Sequence, residues 1–252
     1  MKSKNNIFSV YEDASSSKVD KTEPMIVRLV IKRPDSFKKL LEKPYDLRIA
    51  DMMETLTVYM IQKTNATFGF YNYNEINLVF FANSLSDKHL EIQTHVSKTT
   101  SNVVSRMAEY LFESGFFDNN DNPSYERISI PNFDVRVFNL PDMETVSLYL
   151  ISRMNICSDT YVRKMYEHHT GKYNGITNSG YLETQLKEIG IYIYKDIDPT
   201  YFCGKFSYRK KNPDFVSYEN GGSKNIFFTI SGKEIFKEDK DNYKDFIEKL
   251  SL

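Results

Sequence analysis

The architecture of this chain is set by the segment Phe68-Gly-Phe-Tyr-Asn-Tyr-Asn-Glu-Ile-Asn-Leu-Val-Phe80. Apolar residues alternate along its second half with a period of two, which is typical of a β-strand. The polar stretch Asn72-Tyr-Asn-Glu75 separates the two halves and indicates a turn. We therefore predict a β-hairpin whose turn presents one carboxylate, Glu75, beside one side-chain amide, Asn74.

This turn is a candidate metal site. A tight turn between two buried strands holds its side chains in place, and hard cations such as Mg²⁺ prefer carboxylate oxygens. Glu75 is therefore a candidate ligand, and Asn74 could add a neutral oxygen. The alternative for Glu75 is an ordinary solvent-exposed turn residue.

Composition limits the classes of function. The 252 residues allow one large domain or one domain with an extension, and the net charge of −1 gives no general attraction to nucleic acid or membranes. We find no signal peptide and no apolar run near 18 residues, so we expect a cytoplasmic protein outside the membrane. Cys157 and Cys203 are then expected to be unpaired thiols.

The remaining pattern alternates strands and helices around the hairpin. We predict an α+β fold, with an antiparallel sheet covered on one face by helices in a polymerase-palm or ferredoxin-like arrangement. Asp35 or Ser36 is expected to cap the first short helix. The predicted domains are an N-terminal anchor and loop (1–25), a palm-like domain (26–210) and a C-terminal extension with a small strand pair and a helix (211–252).

Several stretches match, in order, the motifs of one family. They are Lys43-Pro-Tyr-Asp-x-Arg48 for Lys-Pro-Phe-Asp-x-Arg, the hairpin for Gly-x-x-x-Ser-Asp-Glu-x-x-x-x-Phe, His95-x-Ser97-Lys98 for Arg-x-Ser-Lys, and Phe133-Asp-x-Arg-Val137 for Phe-Asp-x-Arg-Val. Through these, roughly over residues 8–210, the chain resembles the tRNA-histidine guanylyltransferases and their relatives, the 3′–5′ (reverse) polymerases.

The resemblance implies an activity and a set of partners. Members of this family add a nucleotide to the 5′ end of a tRNA after activating that end with a nucleoside triphosphate. ATP and GTP are then the expected substrates, a tRNA or another RNA 5′ end the expected partner, and a homotetramer or homodimer the expected assembly. Two Mg²⁺ ions, held mainly by two aspartates, clamp the attacking and leaving oxygens in phosphoryl transfer.

Both of these aspartates are missing. The Ser-Asp-Glu motif reads Tyr73-Asn-Glu75, and the family's Asp-Gly-Arg reads either Val30-Ile-Lys32 or Arg33-Pro-Asp35. A cationic side chain there would repel Mg²⁺ by about 4 kcal/mol per unit charge pair at ~4 Å and an effective dielectric near ~20. Asp35 and Glu75 are the candidate replacement metal ligands and catalytic residues, which makes the Mg²⁺ cofactor itself doubtful.

Other candidate residues come from the same resemblance. Lys43, Ser97 and Lys98 correspond to positions that hold triphosphate, and Asn74 lies beside them as a further nucleotide contact. The resemblance also implies the RNA contacts Arg153 and His168. A third predicted RNA contact, Lys210, comes from the basic run Arg209-Lys-Lys211, whose alternative is a solvated chain end. Asp46 and Asp134 are expected to brace Arg48, Arg136 or a helix end, and the adjacent His168 and His169 face different sides of a helix and do not predict a zinc site.

Two functions remain open from the sequence. The first is a nucleotidyltransferase-like protein that binds nucleoside triphosphate, and an RNA 5′ end, with impaired or rearranged two-metal transfer. The alternative is a pseudoenzyme that uses the scaffold as a regulatory module for RNA, nucleotide or protein binding. A cyclase or dinucleotide synthase on a related palm is weaker, because it too would need the missing aspartates.

Overall fold

A computed structural model describes residues 19–82, 92–116, 130–171, 178–194, 197–211 and 225–231. Within these ranges six strands form one antiparallel sheet in the order β4-β1-β3-β2-β5-β6. The strands are β1 (Met25–Lys32), β2 (Phe68–Tyr71), β3 (Glu75–Phe80), β4 (Asn132–Asn139), β5 (Lys205–Lys211) and β6 (Asn225–Ser231). The helices are α1 (Asp35–Lys38), α2 (Leu47–Thr64), α3 (Ile92–Glu113), α4 (Met143–Thr170) and α5 (Ser179–Glu188).

The predicted hairpin is confirmed and lies at the centre of the sheet. Strands β2 and β3 pair in the register Phe70↔Asn77 and Tyr71↔Ile76, and β1 pairs with the other edge of β3. Every residue of β2 and β3 is buried. The turn of the hairpin therefore projects from the middle of one end of the sheet.

Helices pack on both faces of this sheet. A Cβ added to Gly69 would lie 2.6 Å from the Thr57 side chain of α2 and 3.4 Å from Leu78, so Leu78 faces α2. The next residue toward the turn, Asn77, faces the opposite way and accepts a hydrogen bond from the Tyr149 hydroxyl of α4 at 2.7 Å. The predicted α+β antiparallel sheet with helical cover is confirmed, and α4 extends that cover to the second face.

Some predicted elements differ in detail from the structure. Helix α1 begins after Pro34, which makes no side-chain capping bond, so the predicted cap by Asp35 or Ser36 is wrong. The sequence of residues 201–208 predicts a strand, but strand β5 begins only at Lys205, and Tyr201 belongs to the 3₁₀ turn Pro199–Tyr201. Ile226, in the predicted C-terminal strand pair, lies in strand β6, which pairs with β5. The remainder of that predicted pair, the N-terminal anchor and the C-terminal helix lie outside the described residues.

The core is rich in aromatic side chains, as the composition predicts. The largest fully buried residues include Tyr71, Tyr149, Tyr161, Phe37, Phe68 and Phe70. Cys157 and Cys203 are free buried thiols, as expected. Among the helices described here, none is long and apolar enough to cross a membrane.

Candidate nucleotide-binding site

The turn of the central hairpin is held by its own side-chain amide. The Oδ1 atom of Asn72 accepts hydrogen bonds from the backbone N–H groups of Asn74, at 2.8 Å, and Glu75, at 3.1 Å. The backbone N–H of Asn72 donates to the carbonyl of Glu75 at 2.9 Å. An asparagine that bonds its backbone two residues on is a common way to close a turn, and here it fixes the direction in which Asn74 and Glu75 point.

Neighbouring segments hold this turn from two sides. The backbone N–H of Ile31, near the end of β1, donates to the carbonyl of Asn74 at 2.9 Å. The backbone N–H of Tyr73 donates to the carbonyl of Thr200 at 3.1 Å. Because β1 is joined to the turn at Ile31, the residue two positions later, Arg33, is brought over the turn.

Arg33 places a positive charge directly on the hairpin turn. Its guanidinium carbon lies 4.3 Å from the centroid of the Tyr73 ring. Its Nη2 donates to the Tyr73 carbonyl at 3.1 Å and also to the side-chain oxygen of Asn74. Burial lowers the pKa of Arg33, but a guanidinium keeps its proton in proteins. The amide at the family's second aspartate position is therefore bonded to a permanent cation.

Glu75 points into the protein. Arg153 of α4 binds its carboxylate with two hydrogen bonds, Nε to Oε1 at 2.7 Å and Nη2 to Oε2 at 2.6 Å. Arg28 of β1 donates to Oε2 at 3.1 Å, and Asn77 donates to Oε1 at 3.2 Å. Burial is the largest influence on the pKa of Glu75 and raises it, but Arg153 and then Arg28 lower it, so the pKa lies below its ordinary value. Since Glu75 is only 3% exposed, the alternative of a solvent-exposed turn residue is wrong.

Asp35 lies apart from Glu75, on the surface of α1. Its side chain is 89% exposed and pairs with Lys38 at 2.8 Å. A hydrogen bond from Lys38 lowers the pKa of Asp35. The structure thus separates the two predicted metal ligands, one on the surface and one inside the sheet.

The oxygen atoms at the turn do not fit the coordination of two Mg²⁺ ions. Asn74 is neutral and bonded to Arg33, and both oxygens of Glu75 accept from arginines. In the part of the chain that the structure describes, no three His, Cys, Asp or Glu side chains lie close enough together to hold a metal ion. The ligand role of Glu75 and Asp35 therefore stays a prediction, and it would require Glu75 to leave both of its arginines.

An open cleft of about 560 Å³ lies beside the turn. Among its lining residues, five are cationic and one is acidic. The cations are Lys32, Arg33, Lys38, Lys43 and Lys164, and the acid is Glu42; the other lining residues are Ile31, Pro34, Leu41, Pro44, Tyr73, Asn74 and Asn132. Such an excess of positive charge makes the cleft suited to an anion.

Lys164 is a cleft residue that the sequence did not indicate. It comes from α4, and its Nζ lies 5.3 Å from the Tyr45 ring centroid and 5.5 Å from that of Tyr73. Burial first, and then repulsion by Arg33, lower the pKa of Lys164 to about 8. Nothing in the local sequence distinguishes Lys164, which follows Arg163, from a solvent-exposed helix cation, because its aromatic neighbours come from distant segments.

The predicted nucleotide contacts fall into two groups. Lys43 is an exposed residue that lines the cleft, together with Asn74. Ser97 and Lys98 are exposed on α3 and are not among the lining residues. The structure thus brings Lys43 and Asn74 together in one cleft and does not bring Ser97 and Lys98 to it.

The predicted RNA contacts are dispersed. Arg153 is buried and bound to Glu75. His168 is exposed near the end of α4. Lys210 is exposed on β5, with its Nζ 5.6 Å from the Tyr208 ring centroid and 5.7 Å from that of Phe228. These RNA contacts remain predictions, although Arg153 in this structure is directed at Glu75.

The expected bracing roles of two aspartates are confirmed. Asp46 precedes α2, accepts from the backbone N–H of Arg48 at 3.0 Å and pairs with its guanidinium at 2.6 Å. Asp134 lies 3.9 Å from Arg136 on β4. Asp46 therefore anchors the segment that carries Lys43 to the first turn of α2.

Comparison with known proteins identifies the family. A family model described as tRNAHis guanylyltransferase matches residues 5–141. Among solved structures, a bacterial tRNA(His) guanylyltransferase-like protein in complex with ATP superposes with a TM-score of 0.70 at 16% identity, covering 95% of this chain and 94% of that one. A bacterial protein of the same description in complex with GTP superposes with a TM-score of 0.67 at 16% identity, covering 97% of this chain and 94% of that one.

A third solved structure is the tRNA(His) guanylyltransferase of Saccharomyces cerevisiae, with a TM-score of 0.60 at 16% identity, covering 77% of this chain and 89% of that one. No curated protein sequence gives a significant match. At these identities the structures show a shared fold, whereas the family model spans more than half of the chain. The chain belongs to the tRNAHis guanylyltransferase family.

Proposed function

We propose that the chain binds a nucleoside triphosphate in the cleft beside the hairpin turn, and that its two-metal 3′–5′ nucleotidyl transfer is impaired. The observation that carries this proposal is the contact of Arg33 with Asn74 inside a cleft with five cationic side chains. By the resemblance, a neutral amide bonded to a guanidinium stands where the family holds its metals with carboxylates. Such a site keeps the charge needed for a triphosphate but not that needed for Mg²⁺.

The types of side chain in the cleft suit phosphate oxygens. The planar guanidinium of Arg33 presents several N–H donors in a fixed geometry, and the ammonium groups of Lys43 and Lys164 act as adaptable point charges. The solved complexes of related proteins with ATP and GTP support a nucleoside triphosphate as the ligand. Ser97 and Lys98 are proposed to contact a nucleotide from α3, outside this cleft.

The proposal extends to an RNA partner and an assembly. A tRNA, or another RNA 5′ end, would meet the exposed side chains of His168 and Lys210; the Tyr208 and Phe228 rings beside Lys210 offer faces for base stacking.

We also propose a homo-oligomer, dimer or tetramer, in the cytoplasm. Light scattering at several protein concentrations tests the assembly, and a monomer throughout would contradict it.

The alternative is a pseudoenzyme that binds nucleotide, RNA or a protein without transfer. The specific observation in its favour is that both oxygens of Glu75 accept hydrogen bonds from arginines inside the protein. A rearranged active site would have to free this carboxylate. The two functions are distinguished by whether Mg²⁺ produces any transfer product from bound nucleotide.

Calorimetric titration of GTP and ATP into the wild type tests nucleotide binding. Lys164→Met is expected to weaken binding about tenfold or more, because it removes one charge-assisted contact. Lys63→Met is the matched control, because Lys63 also lies over a tyrosine, 5.5 Å from the Tyr59 centroid, but lies outside the cleft. Absence of binding for both nucleotides, or equal effects of both substitutions, would overturn the proposal.

A further inference from the structure

We infer that Arg33 takes the place of a metal cation at the hairpin turn, so that the cleft binds a triphosphate without a divalent ion. This inference rests on the proposed function, which assigns the nucleotide to the same cleft. It goes further by naming which group neutralises the phosphate charge. It also predicts a property, metal-independent binding, that a two-metal site would not have.

The first argument concerns the atoms that a metal would use. Asn74 occupies the position of a metal-binding aspartate, and its Oδ1 accepts a hydrogen bond from Arg33. The neighbouring carboxylate of Glu75 accepts from Arg153 and Arg28. The positive charge at this turn is thus covalently part of the chain, and no oxygen of the turn with a full negative charge is left for an ion from solution.

The second argument concerns a pair of cations on one ring. The guanidinium carbon of Arg33 lies 4.3 Å from the Tyr73 centroid, and the Nζ of Lys164 lies 5.5 Å from the same centroid. Two like charges held on one aromatic ring repel each other. An anion that contacts both cations relieves this repulsion. The two cations in turn neutralise the charge of the anion, as two metal ions do for a triphosphate.

The third argument concerns rigidity. Arg33 follows the last residues of β1, whose Ile31 N–H is bonded to the turn at 2.9 Å. The guanidinium is bonded to the Tyr73 carbonyl at 3.1 Å, and Arg33 is partly buried. A cation already fixed by such contacts needs little reorganisation when a phosphate arrives.

The ligand class is therefore a triphosphate chain, which both a nucleotide and an inorganic polyphosphate contain. Tripolyphosphate is the probe for the phosphate part alone, and GTP is the probe for the whole nucleotide. Tripolyphosphate is expected to displace GTP, because both would contact Arg33 and Lys164. Failure of tripolyphosphate to compete would overturn the assignment of phosphate to these two residues.

The experiment measures the dissociation constant of GTP for the full-length protein in EDTA and in Mg²⁺. We expect the two values to agree within about threefold, and Arg33→Met to weaken binding in EDTA about tenfold or more. Arg33→Lys keeps the charge without the forked geometry, so its dissociation constant in EDTA should lie between those of the wild type and Arg33→Met. Arg106→Met is the control, because that guanidinium pairs with Glu109 and Glu113 on α3 and does not line the cleft.

The possible results separate the two proposals. Binding that requires Mg²⁺ would overturn the inference and leave nucleotide binding in place. No binding in either buffer would overturn both. Equal binding in both buffers, unchanged by Arg33→Met, would show that another group neutralises the phosphates, and would overturn the role of Arg33. The wild-type comparison needs no variant, so it stands even if a substitution impairs folding.

Discussion

The guanidinium of Arg33 donates a hydrogen bond to the side-chain oxygen of Asn74. By the resemblance of the hairpin motif, Asn74 corresponds to one metal-binding aspartate of the family, and Arg33 lies in the segment expected to carry the other. A guanidinium donates a hydrogen bond to a neutral amide oxygen, whereas two aspartate carboxylates would repel each other without metal ions between them. The two side chains are therefore compatible with each other, and under the proposed function together they favour an anion rather than a metal ion at this site.

Substitution of Asn74 tests this compatibility. In Asn74→Asp the new carboxylate should pair with Arg33 and compete with phosphate for its donors. We expect GTP binding in EDTA to weaken about five- to tenfold, a change of roughly 1–1.4 kcal/mol. Asn132→Asp adds the same charge to the lining of the cleft, away from the turn, and should have a smaller effect. Equal losses in calorimetric titration would show that only overall charge matters.

Lys164 predicts a dependence of binding on pH. Its pKa is lowered to about 8, by burial first and then by Arg33, whereas an unperturbed lysine has 10.5. An anion favours the protonated form, so affinity should be highest below pH 8 and should fall as the pH rises through this value. ATP binding measured from about pH 7.5 to 9 checks this, because its base does not titrate there.

The control for this pH series is Lys164→Met. It should bind ATP more weakly than the wild type, and its affinity should change little as the pH rises. Calorimetry in buffers of different ionisation enthalpy should also show proton uptake on binding near pH 8.5. An affinity that is flat over this range in the wild type would contradict the assignment of Lys164 to the ligand.

The ion pair of Glu75 with Arg153 predicts a large loss of stability. Removal of one partner of a buried pair leaves the other charge unpaired, which typically costs about 3–5 kcal/mol. We expect Glu75→Gln to lower the free energy of unfolding by about this amount in denaturant titrations. Glu75→Gln combined with Arg153→Met should be less destabilising than the sum of the single changes.

The same pair predicts the direction of the pH effect. The pKa of Glu75 is below the ordinary value of 4.5 in the folded state, because the arginines outweigh burial. Its contribution is therefore complete above about pH 5 and is lost as the pH falls through the lower, folded pKa. The difference in unfolding free energy between wild type and Glu75→Gln should shrink only in acid. A difference that shrinks between pH 8 and 6 would contradict this account.

Gly204 predicts a steric requirement beside the hairpin. It has a φ of +75°, and a Cβ there would clash with Cε2 of the Phe70 ring and lie 2.7 Å from the Tyr71 carbonyl oxygen. Gly204→Ala should therefore destabilise the fold by about 3 kcal/mol or more. Gly171 is the matched control: its φ is +65° with nothing within 4 Å of the added Cβ, so Gly171→Ala should cost only about 1–2 kcal/mol. Equal costs in thermal or chemical unfolding would show that the close contact at Gly204 is absent.

Much of the fold could be predicted from local pattern. The second half of the hairpin alternates with a period of two, and β1 is a nearly continuous apolar, β-branched run. Helix α4 carries an apolar stripe that begins after Asp142, which accepts from the backbone N–H of Thr145 at 2.7 Å. The pairing of β6 with β5, in the register Lys211↔Asn225, was not predicted. Pairing across an intervening segment leaves no signal in either strand alone.

The site was predictable only in part, for a similar reason. The sequence indicated the amide at Asn74 and a cation near the lost aspartate, but not that Arg33 reaches Asn74, because the register after β1 was ambiguous. It did not indicate that Glu75 is buried, because Arg153 lies 78 positions along the chain. A polar residue that alternates with core residues, as Glu75 does with Ile76, was the available signal that a partner must exist.

Transfer of labelled GTP to the 5′ end of a monophosphorylated tRNA, with Mg²⁺ and ATP, tests the central claim most directly. The wild type is assayed where GTP saturates it, beside an active member of the family as a positive control. We predict a Mg²⁺-dependent rate far below that of the positive control, because the turn binds phosphate through Arg33 and does not fit a pair of metal ions. A product that requires Mg²⁺, forms at rates typical of the family and is lost in a folded Glu75→Gln variant would contradict the account.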